Sequence, residues 1–312
     1  MDTTKVIYST VGAVGCSTNG FAIFILLHLQ NRFSTTNLLI LNQCIIDLLS
    51  SLMALCLFLD ADVMTRLPES NAAAEFVCKF WSSKYIFWSC TYSSTANLVV
   101  LTFDRYFAVM FAVKYNIIKE KIWIKVLLLV IPWTCGFAFL GFWSAIHTVS
   151  DGVCIQIWPS VEYQKAFGLM TGVYILVIPV SVMLIVYLTI LRALRNRVGD
   201  GSSAVSASSA ARRMNIIKTM VIVSVTYVIC WTPNQIAFVN FTLGGGLDIN
   251  EPVYYTVVAM SLCNICINPI IYTFKYNDFK VGVRKTLPCL KSIFTPQEHN
   301  PIGTTPLGPS NS

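Results

Sequence analysis

Asp47 is the one charged residue inside any of the long apolar runs of this sequence, and the polar residues that helical phasing brings towards it are Asn19, Ser94, Asn264 and Asn268. An ionised carboxylate within a bilayer needs a cation, a proton or several hydrogen-bond donors, so such acids mark function by default. Together the five residues form an oxygen-rich cluster suited to a small hard cation such as sodium, with waters completing its shell. The same residues also suit a protonated Asp47 that only holds helices together. The chemistry alone leaves both readings open.

Three further constellations carry chemistry of a different kind. Asn268-Pro269-Ile270-Ile271-Tyr272 sets a proline between two polar side chains near the inner end of the last apolar run. A proline there would break a soluble helix at a cost of about 3 kcal/mol. Inside a membrane bundle, neighbouring helices, polar side chains or waters re-satisfy the freed carbonyl. Cys230-Trp231-Thr232-Pro233 repeats the pattern in the sixth run, and Pro179 with Tyr187 does so in the fifth. Three kinked helices make a bundle able to take two packings. At the inner end of the third run, Asp104-Arg105-Tyr106 puts a locally paired arginine at the membrane boundary; taken singly, it reads equally as a boundary anchor.

The residues of hydrolytic or metal catalysis are not grouped. His28, His147 and His299 are scattered, and Cys263 and Cys266 form a single C-x-x-C on one helix, without the second pair of a zinc site. Most of the eleven cysteines lie in the apolar runs or the tail and suit packing. Cys78 and Cys154 differ, because both fall on the outer, oxidising side, where a disulfide would tie the loop after the fourth run over the mouth of the bundle.

The elements that must position these groups follow from composition. Apolar residues make up 55% of the chain and charged residues 12%, with a mean hydropathy of +0.65. Seven runs, at 6–29, 33–59, 85–103, 126–146, 166–191, 219–247 and 252–274, approach the ~20 residues that cross a bilayer, which predicts an all-α membrane protein with spans at 6–29, 37–59, 80–107, 122–146, 165–191, 214–243 and 252–274. The first is too long, and lacks the basic leader, for a signal peptide, so residues 1–5 are expected as a short extracellular N-terminus. Of the 22 Lys and Arg, only Lys5, Arg66, Lys79, Lys84 and Lys165 fall outside when the N-terminus is outside. That asymmetry predicts a cytoplasmic C-terminus. It also accounts for the net charge of +7 without nucleic acid. The stretch 195–211 reads as a Gly/Ser/Ala linker. Residues 275–289 alternate apolar and basic positions, which suits an amphipathic helix on inner-leaflet lipid, with Cys289 a candidate for palmitoylation. Residues 290–312 are polar and rich in Pro, Gly and Ser, and predict a disordered tail. A transporter or channel would show more intramembrane charge, broken helices or an inverted repeat.

Taken together, these residues resemble the rhodopsin-like class of G protein-coupled receptors over nearly the whole chain. Asn19, Asp47, Asp104-Arg105-Tyr106, Trp133, Pro179 with Tyr187, Cys230 to Pro233 and Asn268 to Tyr272 match one motif in each helix in turn, and Phe279 falls in the short cytoplasmic helix. The resemblance implies a plasma-membrane receptor, not an enzyme. It implies no cofactor beyond an allosteric sodium ion at Asp47, Ser94, Asn264 and Asn268. Its partners would be an extracellular ligand, a heterotrimeric G protein, arrestin and membrane lipid. The implied switch is Arg105 with Asp104 and Tyr106, partnered on activation by Tyr187 and Tyr272 and hinged at Asn268-Pro269, with Trp231 a toggle beneath the ligand.

Three departures stand out. Cys78 lies two residues further from Arg105 than the usual spacing, which predicts a bulge or altered course in the outer part of helix three. Tyr227 stands where helix six usually has phenylalanine. Arg213 stands where some members pair an acid with Arg105. The expected pocket is Phe87, Trp88, Thr91, Thr171, Trp231, Asn234, Phe238 and Tyr254. Counting from Arg105 puts Phe87 where amine receptors carry an aspartate, and counting from Cys78 puts Tyr85 there, so a cationic amine lacks its counter-ion. The cavity suits a peptide or a neutral small molecule, including a chemosensory one. The tied loop and an acidic mouth lean towards a short basic peptide, of the galanin, somatostatin or allatostatin kind.

Overall fold

The computed structural model describes residues 3–59, 67–199, 204–245 and 252–287. Outside them lie Cys289, the expected tail, and the outer acids Asp60, Asp62, Asp248 and Glu251; the side chain of Arg213 is likewise not described. The chain is a bundle of helices with one small hairpin. Span one is α1 (Thr3–Leu27), span two α2 (Thr35–Leu59) and span four α6 (Ile122–Ala145). Span six is α9 (Ala204–Thr242) and span seven α10 (Pro252–Lys275).

Among the described residues six helices are long and apolar enough to cross a membrane. The remaining span, α4 (Tyr85–Met110), carries Ser89, Ser93, Ser94, Thr91, Thr95, Asn97 and Thr102, all buried. It packs against α2, α6 and the helix Ile178–Gly199 of span five, so its hydroxyls face protein instead of lipid. A short helix on the inner side, α5 (Ala112–Ile118), follows it. Gly136 permits the closest approach of α6 to α4: a Cβ there would sit 2.2 Å from Ser93 Oγ and 2.5 Å from the Ser89 carbonyl oxygen.

Helix three does change course at its outer end. A short helix, α3 (Asn71–Phe76), runs into a π-helical turn over Val77–Ser82, and the chain then breaks at Lys84, whose φ is 58°. The break is bonded throughout. Ser144 donates to the Lys79 carbonyl at 3.0 Å, Trp143 Nε1 donates to the Ser83 carbonyl at 2.9 Å, and Ser83 Oγ accepts from the Tyr85 amide at 3.1 Å. Span four thus satisfies the groups that the break exposes. Span five is interrupted in the same way: α7 (Val161–Gly172), a π-helical turn over Val173–Val177, then α8 (Ile178–Gly199).

Between spans four and five a hairpin pairs β1 (His147–Ser150) with β2 (Val153–Gln156), antiparallel. Its two-residue turn, Asp151-Gly152, has φ of 52° and 75°, the type I′ signature. Cys78 and Cys154 are joined, with Cα atoms 5.3 Å apart. The stretch expected as a linker is mostly helical, since α8 reaches Gly199 and α9 starts at Ala204 in an alanine-rich run. Last comes α11 (Asn277–Thr286), with Phe279 and Val283 fully buried and the Phe279 ring edge-on to Phe21 of span one at 6.3 Å.

Candidate ligand cavity and inner switch

Two cavities open one above the other inside the outer half. The deeper, of about 70 Å³, is walled by Tyr92, Leu140, Phe167, Asn234 and Gln235. The outer, of about 270 Å³, is walled by Tyr8, Lys84, Phe87, His147, Gln156, Val258 and others. Trp88, Trp143, Phe238 and Tyr254 line both. Of the eight residues expected in the pocket, Phe87, Trp88, Asn234, Phe238 and Tyr254 line one or both. Thr91, Thr171 and Trp231 line neither and are almost fully buried. Thr91 spends its hydroxyl on the Phe87 carbonyl at 2.8 Å and Thr171 on that of Gly168 at 2.7 Å, so both are absorbed by their own helices. Trp231 lies beside Tyr227, ring centroids 6.1 Å apart.

Sequence reasoning missed the aromatic wall of Trp143 and Phe167, stacked at 5.8 Å, and the amide of Gln235. The density of Phe and Trp over 137–143 was the available signal for the wall. Gln235, next to Asn234, was legible only by phase. Lys84 was counted merely as an outer charge, because its place in the cavity depends on the break it occupies.

Deeper still, Asp47 is completely buried. Gln43, one turn earlier, donates from Nε2 to Asp47 Oδ2 at 3.0 Å and to Ser94 Oγ, and Asn268 Nδ2 approaches the same Oδ2 at 3.4 Å. The buried Oδ1 atoms of Asp47, Asn19, Asn264 and Asn268 have no hydrogen-bond partner. A carboxylate and amide oxygens without donors fit a hard cation on that side, while Gln43 occupies Ser94 and the other carboxylate oxygen. Gln43 was not expected here. It also accepts from Asn97 at 2.8 Å; Asn97 in turn accepts from Asn42 at 3.0 Å, and Asn42 from Trp133 Nε1 at 3.0 Å. One polar chain therefore links span four to Asp47.

At the inner end Arg105 is paired with Asp104, Nε to Oδ2 at 3.1 Å. Two more donors steady that carboxylate: Thr36 Oγ1 at 3.0 Å to Oδ2 and Tyr115 Oη at 2.6 Å to Oδ1. Tyr106 is half-buried and stacks edge-on with Phe107 and Phe111 instead of joining the pair. Tyr187 is buried and shares a 3.3 Å hydrogen bond with Thr102. Tyr272 is fully buried, its hydroxyl unpartnered, and Pro269 lies one turn before it.

A bundle of membrane helices that sets an aromatic cavity at one end and a braced Asp-Arg pair at the other has the build of a signalling receptor. The family model for the 7 transmembrane receptor (rhodopsin family) matches residues 18–272, and the chain belongs to that family. Its similar proteins include the galanin receptor 2b of Danio rerio, 27% identical over 92% of this chain and 75% of that one. The neuropeptides B/W receptor type 2 of Homo sapiens is 28% identical over 91% and 85%. The histamine H2 receptor of Homo sapiens is 28% identical over 81% and 70%. The protein is thus a multi-pass membrane receptor and not an enzyme.

Proposed function

We propose that this receptor sits in the plasma membrane with its N-terminus outside, binds an extracellular peptide in the stacked cavities, and activates a heterotrimeric G protein. The observation that carries the reading is the vertical order of the parts. The cavities lie above Trp231, the Asp47 cluster lies below it, and the Asp104–Arg105 pair closes the inner end. Opening the inner ends of spans three, five, six and seven would release Arg105 from Asp104 towards Tyr187 and Tyr272, exposing a face for the G protein and afterwards for arrestin. The basic inner loops support the orientation. The basic positions of α11 support contact with inner-leaflet lipid.

A peptide is favoured by the relatives named for galanin and neuropeptides. The small volume of the deeper cavity also favours a second reading, a compact neutral or chemosensory molecule. The lean towards a basic peptide rests on an acidic mouth whose Asp60, Asp62, Asp248 and Glu251 lie outside the described residues; among the described residues no carboxylate lines either cavity. An allosteric sodium ion would be held by Asp47, Asn264 and Asn268, with Ser94 available only when Gln43 turns away.

The test is nucleotide exchange on purified heterotrimeric G protein added to membranes that carry the chain. Exchange above that of empty membranes, abolished by Arg105→Ala at matched surface expression, is the expected result. Exchange that Arg105→Ala leaves untouched, or ion flux through vesicles without exchange, would overturn it.

A further inference from the structure

A third cavity, of about 410 Å³, lies at the inner end of the bundle, between α4, α5 and α6. Val100, Phe103, Phe107, Phe111, Ile118 and Leu128 form its apolar wall, and of these Phe103, Phe107, Phe111 and Ile118 are exposed. Apolar side chains on the outside of a membrane bundle meet acyl chains as a matter of course. The polar end is what sets this groove apart.

Lys114 of α5 lines the groove and makes no ion pair among the described residues. Lys119 lines it too, and its one ion pair is a 4.0 Å approach to the exposed carboxylate of Glu120. Exposed pairs of that kind contribute little. Asp104 also borders the cavity, but its oxygens are taken by Arg105, Thr36 and Tyr115. Lys125 spends its ammonium on the Phe33 carbonyl at 3.0 Å, an acceptor without charge. Residues 112–125 hold four lysines and one acid, so the polar end is positive. Thr35, 4% exposed, lines the same cavity, and its buried Oγ1 has no hydrogen-bond partner.

We propose that this groove holds one anionic phospholipid, its phosphate at Lys114 and Lys119 with the Thr35 hydroxyl as a further donor, and an acyl chain along Phe103, Phe107 and Leu128. Basic pockets between membrane helices take anionic headgroups in this way. A zwitterionic headgroup brings its own cation to the lysines, and a free phosphate leaves the aromatic wall unused. The site is separate from both ligand cavities and from α11, and it stands whichever ligand the receptor takes. Tyr115 lines the groove and donates to Asp104 Oδ1 at 2.6 Å, so a seated lipid also orders α5 against the Asp104–Arg105 pair.

The experiment uses the full-length receptor in nanodiscs of phosphatidylcholine alone or in a four-to-one mixture with phosphatidylglycerol. Amide hydrogen exchange is read over α5. In the wild type the mixture should slow that exchange about fivefold, the effect of one lysine at an anionic headgroup. Lys114→Gln should remove most of the slowing, leave exchange in phosphatidylcholine unchanged, and differ from Lys114→Arg, which should retain it. Leu128→Trp fills the acyl groove without altering a charge and should remove the slowing as well. No slowing in the wild type, or slowing that survives either Lys114→Gln or Leu128→Trp, overturns the site. Equal slowing by glycerol 3-phosphate added to phosphatidylcholine discs overturns it too, in favour of a free phosphate. Neither agonist nor G protein is present, so this failure is separate from failure of the nucleotide-exchange test.

Discussion

The side-chain amide of Asn19 donates to the carbonyl of Ile265 at 3.0 Å, the acceptor that Pro269, four residues on, cannot satisfy. Proline has no N–H to return, and a second helix supplies the missing donor. The hinge of span seven is therefore fastened to span one. Asn19→Leu should leave the Ile265 carbonyl buried and unpaired, and lower the stability of the detergent-solubilised receptor by about 1–3 kcal/mol. Thermal unfolding measures it, and an unchanged midpoint would mean that the carbonyl finds a donor elsewhere.

That bond shows what could be read from the chain and what could not. Pro269 announces a freed carbonyl, and the spans follow from apolar runs, because both are local properties. Which side chain fills the gap depends on how the helices rotate against one another. The two-residue offset of Cys78 from Arg105 likewise announces a disturbance in helix three, but not that Lys84 would be turned into a cavity. The hairpin had a local signal in Asp151-Gly152 between alternating residues, and was read only as a tied loop. Gln43 carried no signal at all: a neutral amide in an apolar helix becomes informative only when Asp47 and Ser94 are seen on either side of it.

Tyr227 repeats the device in span six. Pro179 has no N–H for the Ile175 carbonyl, and Tyr227 Oη donates there while sharing a 3.2 Å hydrogen bond with Thr95. Spans three, five and six are joined at one hydroxyl. Tyr227→Phe should weaken the resting packing and raise ligand-free nucleotide exchange by about fivefold, the equivalent of 1 kcal/mol. Basal exchange equal to wild type at matched expression would show that the hydroxyl does not restrain span six.

Asp47 and Gln43 make opposite predictions for sodium. If the ion stabilises the resting packing, sodium should lower ligand-free exchange relative to potassium, by linkage. Asp47→Asn should remove the difference. Gln43→Leu withdraws the donor from Asp47 Oδ2 and Ser94 Oγ, frees both oxygens for the ion, and should enlarge it. Wild-type exchange indifferent to the choice of ion would leave Asp47 a structural hydrogen-bond centre.

The outer hairpin has two fasteners on opposite strands. The disulfide holds β2 at Cys154, and Glu75 holds β1 by accepting from the Val149 amide at 3.0 Å and from Thr148 Oγ1 at 2.7 Å. The Val149 bond, then that of Thr148 and the Lys79 ammonium at 3.2 Å, lower the Glu75 pKa from 4.5 to about 2. A folded-state pKa below the unfolded one means that the attachment is complete above about pH 4.5 and is lost as the pH falls through 2. Hydrogen exchange at the Val149 amide, corrected for its intrinsic rate, should show protection that declines across this window. Glu75→Gln keeps an acceptor oxygen but loses the charge, so its protection should be lower at neutral pH and flat below it. Because Cys154 still ties β2, acid should loosen β1 alone and leave the cavity roof in place; protection independent of pH in the wild type would assign the whole attachment to the disulfide.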